Sequence, residues 1–135
     1  METQKTQKSH RSIFKNISEM KNAVGKELGL TPWKIMDQER INTFAKATED
    51  EQWIHIDEDR CTKESPYKQT IAHGFLMLSM CSKIMYDTYE IEQTSMAINY
   101  GLDKVRFPSA TKAGSKSRGR VSLAEFNIIP KGAKY

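Results

Sequence analysis

No stretch of this 135-residue chain is apolar for long enough to cross a bilayer. The longest such run, Gly74 to Cys81, falls far short of the ~20 residues that a spanning helix needs. The opening, Met1 to Lys15, is polar and lacks the apolar segment of a secretory signal. Membrane and secreted readings are set aside on these two grounds. Cysteine is scarce: Cys61 and Cys81 are too few for a disulfide scaffold and lack metal-ligand spacing. A cytoplasmic protein with two free thiols is the expectation. Several catalytic signatures are also missing. There is no G-x-S-x-G, no phosphate-binding loop, no dinucleotide fingerprint and no Cys/His zinc pattern. Neither cysteine has an obvious activating neighbour, which argues against a cysteine nucleophile.

What is present fits one globular domain. With 38% hydrophobic and 28% charged residues the chain is polar but foldable, and its size allows one real core. The net charge of +4 is unevenly spread. Residues 104–135 hold eight Lys or Arg against the single acid Glu125, whereas residues 1–103 hold thirteen basic and sixteen acidic side chains. A basic C-terminal third points to an anionic partner, either nucleic acid or a phosphorylated cofactor. A solvated strand face explains the same charge without any ligand.

The first twelve residues are polar and aperiodic, so a flexible leader is expected over 1–12 and one domain over 13–135. Thr31 to Met36 reads as a short strand. Asp37 is a good N-cap for a helix over Gln38 to Thr48, where Ile41, Phe44, Ala45 and Ala47 recur at helical spacing. Trp53 to Asp57 looks too short for a helix. Gly74 to Glu90 reads as a long helix whose first two turns, Phe75 to Cys81, leave almost no polar face. Such a helix must be buried on nearly all sides, and in a chain this small the natural wrapper is a curved antiparallel sheet. Ser95 to Phe107, with a bend at Gly101, and Gly114 to Phe126 are expected as strands. In the second, Val121, Leu123 and Phe126 are the apolar positions, and Arg118 and Arg120 point away from them.

Two constellations can carry chemistry. Asp50 and His55 stand five residues apart, and a carboxylate and an imidazole brought together there share one water, as general acid–base catalysis requires. A solvated acidic loop with an incidental histidine accounts for the same spacing. Thr70-Ile71-Ala72-His73-Gly74 lies directly before the apolar helix. Backbone N–H groups at a helix start lack intrahelical partners, and a glycine lets a ligand oxygen approach them, which is how an oxyanion site is built. The alternative is that Gly74 only permits close packing and His73 is a structural histidine.

Taken together, these segments resemble one family. Asp37-Gln38-Glu39-Arg40-Ile41-Asn42-Thr43-Phe44-Ala45 and Ala47-Thr48-Glu49-Asp50-Glu51-Gln52-Trp53-Ile54-His55-Ile56-Asp57 resemble the hydratase motif of MaoC-like hot-dog proteins. Ser65-Pro66-Tyr67, Thr70 to Leu76 and Ile98 to Pro108 continue the match in order. The Gln-Trp-Ile-His and Ile-Asn-Tyr-Gly-Leu forms are similar to the branch containing nodulation-protein-N-like proteins and bacterial enoyl-CoA hydratases. The resemblance covers about residues 24 to 125. It implies an α+β hot-dog fold, an antiparallel sheet around a long central helix, and a homodimer. It also implies hydration of a trans-2-enoyl thioester of coenzyme A to the (R)-3-hydroxyacyl product, with no metal or redox cofactor. Asp50 and His55 would hold and activate the water, and Gly74, with His73 beside it, would bind the thioester oxygen. Lys104, Lys112, Arg118 and Arg120 are candidate contacts for the coenzyme A phosphates.

Two features depart from the family pattern. Glu49 and Lys68 stand where glycine is usual, and the family continues through one or two more long strands after the position of Phe126 than this chain holds. Glu49 and the short C-terminus favour a second reading, a catalytically silent acyl-thioester-binding or dimerisation module of the same fold, against which the presence of both Asp50 and His55 argues. A hot-dog thioesterase ranks lower, because Phe75 to Cys81 carry no carboxylate. Nucleic-acid binding ranks last: Lys112, Lys116, Arg118 and Arg120 cluster without interleaved aromatics.

Overall fold

A computed structural model describes residues 7–135 of the chain. In chain order its elements begin with β1 (Ser12–Phe14), α1 (Ile17–Met20), a 3-10 turn (Lys21–Ala23), β2 (Glu27–Leu30) and β3 (Lys34–Ile35). There follow α2 (Gln38–Thr48), α3 (Trp53–Ile56), α4 (Glu58–Glu64), α5 (Gly74–Ser79), α6 (Cys81–Thr88) and β4 (Tyr89–Ile91). The chain ends with β5 (Lys116–Ser117), β6 (Arg120–Ser122), β7 (Asn127–Ile129) and β8 (Gly132–Lys134). Three helices begin where a short polar side chain satisfies an unpaired N–H. Asn16 accepts from the Glu19 amide, Asp37 from Arg40 and Asp57 from Arg60, each at 2.9 Å.

The described residues fall into two compact units. The first comprises residues 7–32 with Ser82–Gly101 and Arg118–Tyr135. In it β1 pairs parallel with β4, β2 pairs antiparallel with β6 through an irregularity between Glu27 and Gly29, and β7 pairs antiparallel with β8. Its core is Met20, Ala23, Leu28 and Leu123, against which Phe14, Tyr89, Ile91, Val121 and Phe126 pack. Gly29 passes tight against α6: a Cβ there would stand 2.7 Å from Thr88 Cα.

The second unit comprises Trp33–Cys81 and Leu102–Ser117. Antiparallel pairing of β3 with β5 and a bridge between Ile71 and Lys112 knit its backbone together. Its core is Met36, Ile41, Ala72 and Leu76, with Phe44, Met77, Met80 and Ala113 packed against it. Of the four positions that helical spacing marks, Ile41 and Ala45 are buried and Phe44 is half-buried, whereas Ala47 is exposed.

Several elements depart from their sequence reading. Of the leader expected over 1–12, residues 1–6 lie outside the described residues. His10 exchanges main-chain hydrogen bonds with Leu30 at 3.0 Å, and Ser12 opens β1. The strand expected over Thr31 to Met36 is only Lys34–Ile35. Trp53–Ile56 closes one helical turn, because the Asp57 amide reaches back to the Trp53 carbonyl at 2.9 Å. The helix from Gly74 runs in two segments and gives way at Tyr89, whose backbone enters the pairing with β1. No strand forms over 95–107, where Met96, Ile98, Tyr100 and Leu102 all lie exposed. Gly114 to Phe126 contributes two short strands separated by Arg118 and Gly119. Burial of the apolar helix is partial: Leu76 is the buried residue of α5, whereas Phe75 is 68% exposed.

Candidate active site

The site lies entirely in the second unit and is assembled by three short segments. The end of α2 supplies Asp50, α3 supplies His55, and the loop entering α5 supplies His73 and Gly74. Gln38, in the first turn of α2, fastens the other two segments. Its Nε2 donates to the His55 carbonyl at 2.7 Å, and its Oε1 accepts from the buried Thr70 hydroxyl. The Ile71 amide adds a bond to the Ile54 carbonyl at 3.2 Å. Sequence reasoning passed over Gln38 and the Thr70 side chain; both stand in the quoted motifs, but nothing in their spacing marks them as partners.

His55 is 8% exposed, and its Nδ1 lies 2.7 Å from the Ile71 carbonyl oxygen. A carbonyl only accepts, so Nδ1 carries the proton and Nε2 is left as a lone pair. Burial pushes the His55 pKa below its ordinary 6.5, the Ile71 carbonyl opposes that by supporting the charged ring, His73 lowers it further and Asp50 raises it. The neutral ring is therefore the form present at pH 7. His73, 2% exposed, lies with its ring 3.7 Å from that of His55, centroid to centroid, at 26°. Its Nε2 is 2.9 Å from the Asp50 main-chain oxygen. The Asp50 carboxylate is exposed, and its ligand atom and one from each imidazole all lie within 4.8 Å of one another.

This N2O set is of a type that binds divalent transition metals. The near-parallel rings, however, hold their lone pairs in separate planes rather than converging at the ~2.1 Å of a metal–imidazole bond. The arrangement suits a water shared between a carboxylate and a neutral imidazole better than a metal.

Gly74 is the first residue of α5, so its N–H has no partner within the helix. A Cβ built on it would stand 2.9 Å from Cδ2 of Phe107, whose ring also meets Phe75 edge-on at 6.2 Å. Gly74→Ala is therefore expected to displace Phe107 or the helix start and to lower turnover about tenfold or more. Equal turnover in the alanine variant would remove Gly74 from the site.

The two glycine replacements now have a physical meaning. Glu49 has φ +61° and Lys68 φ +58°, both left-handed, the region where a glycine costs least. Glu49 is also the C-cap of α2. Glu49→Gly and Lys68→Gly are each expected to stabilise the fold by about 0.5–1 kcal/mol, or ~2–4 °C in Tm. Thermal unfolding of the two variants checks this, and a lower Tm would count against backbone strain at these positions.

Of the basic candidates, Lys104 and Lys112 are exposed and belong to the same unit as the site. Arg118 and Arg120 belong to the other unit. There Arg118 donates to the Gln7 carbonyl at 2.9 Å, and Arg120 bonds the Gln7 side chain and pairs with Glu27 at 3.1 Å. Cys61 is buried with its thiol pKa pushed up by burial, the opposite of an activated nucleophile.

Residues 19–133 match the MaoC like domain, and the chain belongs to that family. It is 40% identical over 119 residues to 3-hydroxyacyl-thioester dehydratase Z of Mycobacterium tuberculosis, spanning 88% of this chain and 78% of that protein. It is 44% identical over 111 residues to Nodulation protein N of Rhizobium leguminosarum bv. viciae, spanning 82% and 69%. Among solved structures, unliganded R-hydratase PhaJ1 from Pseudomonas aeruginosa shares the fold, with a TM-score of 0.67 at 20% identity over 87% of this chain and 69% of that one. The hot-dog fold is thereby the fold of this chain.

Proposed function

We propose that the chain hydrates trans-2-enoyl-CoA thioesters to (R)-3-hydroxyacyl-CoA. The observation that carries this reading is the neutral His55, fixed with a bare Nε2, in one cluster with the Asp50 carboxylate. A water held between them has acceptors for both of its protons, which leaves an oxygen lone pair for the β-carbon of the substrate. As that C–O bond forms, electrons move through the double bond onto the thioester oxygen, where the Gly74 N–H stabilises the developing enolate. His55 Nδ1 keeps its own proton on Ile71, so the proton that reaches the α-carbon is the one taken from the water. Water is thus added whole, and each group returns to its starting state. The His73 ring N–H is already committed to Asp50 and is not needed at the thioester oxygen.

Coenzyme A as carrier is supported by the exposed Lys104 and Lys112, which lie in the same unit as the site and can meet its phosphates. No helix among the described residues is long and apolar enough to cross a membrane. Two free thiols, Cys61 and Cys81, suit the cytoplasm. A homodimer fits the exposed Met96, Ile98 and Tyr100, large apolar side chains left open along one segment of the first unit. Sedimentation is expected to return twice the chain mass, and a monomer at micromolar concentration would reject the dimer.

The silent-module reading is favoured by one observation, the strained Glu49 directly before Asp50. Loss of enoyl absorbance with crotonyl-CoA and a longer trans-2-enoyl-CoA decides between the two. Turnover supports the hydratase, and none from a folded protein leaves the binding module.

A further inference from the structure

We propose that His73 is a positioning residue that holds Asp50 and His55 in register, not a donor to the thioester oxygen. This inference rests on the hydratase reading. The Asp50 main-chain oxygen offers only lone pairs, so the His73 nitrogen 2.9 Å away, Nε2, carries the ring proton. A neutral imidazole has one N–H, and that donor is spent on Asp50. The other nitrogen, Nδ1, is buried without a hydrogen-bond partner. A hydrogen placed there would meet no acceptor, so the Nε2–H tautomer is selected.

With no donor left for substrate, the side chain keeps three attachments. Its ring lies against His55 at 3.7 Å and against Phe44 of α2 at 4.9 Å and 57°, and its N–H grips the residue that follows the α2 C-cap. Its own carbonyl accepts from the amides of Leu76 at 3.1 Å and Met77 at 3.2 Å, which starts α5. One residue therefore ties the start of the Gly74 helix to both groups that hold the water: to Asp50 through the main chain and to His55 through the ring face. Misplacement of a reacting group by ~1 Å costs about 10²-fold in rate, so such a clamp is read in kcat more than in KM.

Two variants separate the hydrogen bond from the ring. His73→Gln can return an N–H near the Nε2 position but has no ring, whereas His73→Phe keeps the ring contacts and has no donor. The expected result is a kcat loss of about 10²-fold in His73→Phe with KM within about threefold, and partial recovery in His73→Gln. Raised KM with unchanged kcat in both variants would instead make His73 a substrate-binding group and overturn the proposal, as would unchanged kcat in both. The unmodified protein supplies an independent arm. Long-range 1H–15N spectra of its three histidines should show His73 as the Nε2–H tautomer. The Nδ1–H tautomer would sink the proposal even if both variants failed to fold. Since this arm needs no turnover, it stands apart from failure of the hydratase reading itself.

Discussion

Asp50→Asn is expected to lower kcat on crotonyl-CoA by about 10³-fold, within the 10²–10⁴ range of general acid–base groups, while Tm stays within about 2 °C of the parent. The substitution keeps the size and shape of the side chain. It leaves untouched the Asp50 main-chain oxygen, to which His73 is bonded, so the backbone of the site stays in place. The Asp50 side chain is exposed, and no core contact depends on it. What changes is chemical: an amide oxygen is a far weaker base than a carboxylate, and the amide nitrogen is a donor where the water needs an acceptor. A water donating one proton to His55 Nε2 would then meet an N–H on its other side, and its lone pair would no longer be free for the β-carbon. Enoyl absorbance in stopped assays, read beside thermal unfolding, separates the chemical loss from a folding defect. Unchanged turnover would remove the carboxylate from the mechanism and leave His55 to act alone.

Local elements were more legible in the sequence than the long-range pairings around them, for reasons that particular residues make plain. Asp37 and the spacing of Ile41, Phe44 and Ala45 mark α2 because a cap and a period are local properties, and the helix runs over Gln38–Thr48 as they predict. The segment 95–107 looks like a strand because its residues favour one, yet a strand exists only where its backbone finds a ladder. The apolarity of Phe75 to Cys81 calls for burial on nearly all sides, and the described chain fully buries only Leu76 of α5. Apolarity tells that a surface wants burial without telling which chain supplies the cover. The Gln38–Thr70 bond joins residues thirty-two apart and has no periodic signature at all. Glu49 and Lys68 are the instructive pair. The motif marked them as departures from glycine, and the backbone gives the reason glycine is usual there: both positions are left-handed.

Replacing His55 should be as damaging as replacing Asp50, provided the substitution is chosen to spare the fold. His55→Ala removes both ring nitrogens, the stacking on His73 and the bond to Ile71, and loss of that hydrogen bond costs about 1 kcal/mol. His55→Asn is the sharper test. Its amide nitrogen can occupy the place of Nδ1 and keep the bond to Ile71, while nothing remains at the place of Nε2. A kcat loss of about 10²–10⁴-fold with a Tm close to the parent is expected, and survival of turnover would move the base elsewhere. The pH dependence of the parent has a definite sign. Burial holds the folded-state pKa of His55 below 6.5, so the folded protein binds fewer protons than the unfolded chain in the window just under that value. The stability contribution of His55 is therefore full above pH 6.5 and is lost as pH falls toward the folded-state pKa. Activity follows the same ring, since a protonated Nε2 cannot accept from water, and the acid limb of kcat/KM should lie below 6.5. In His55→Asn the stability slope in this window should flatten. A parent profile whose acid limb lies above 6.5 would mean that the ring is not shielded as its burial and its His73 neighbour require.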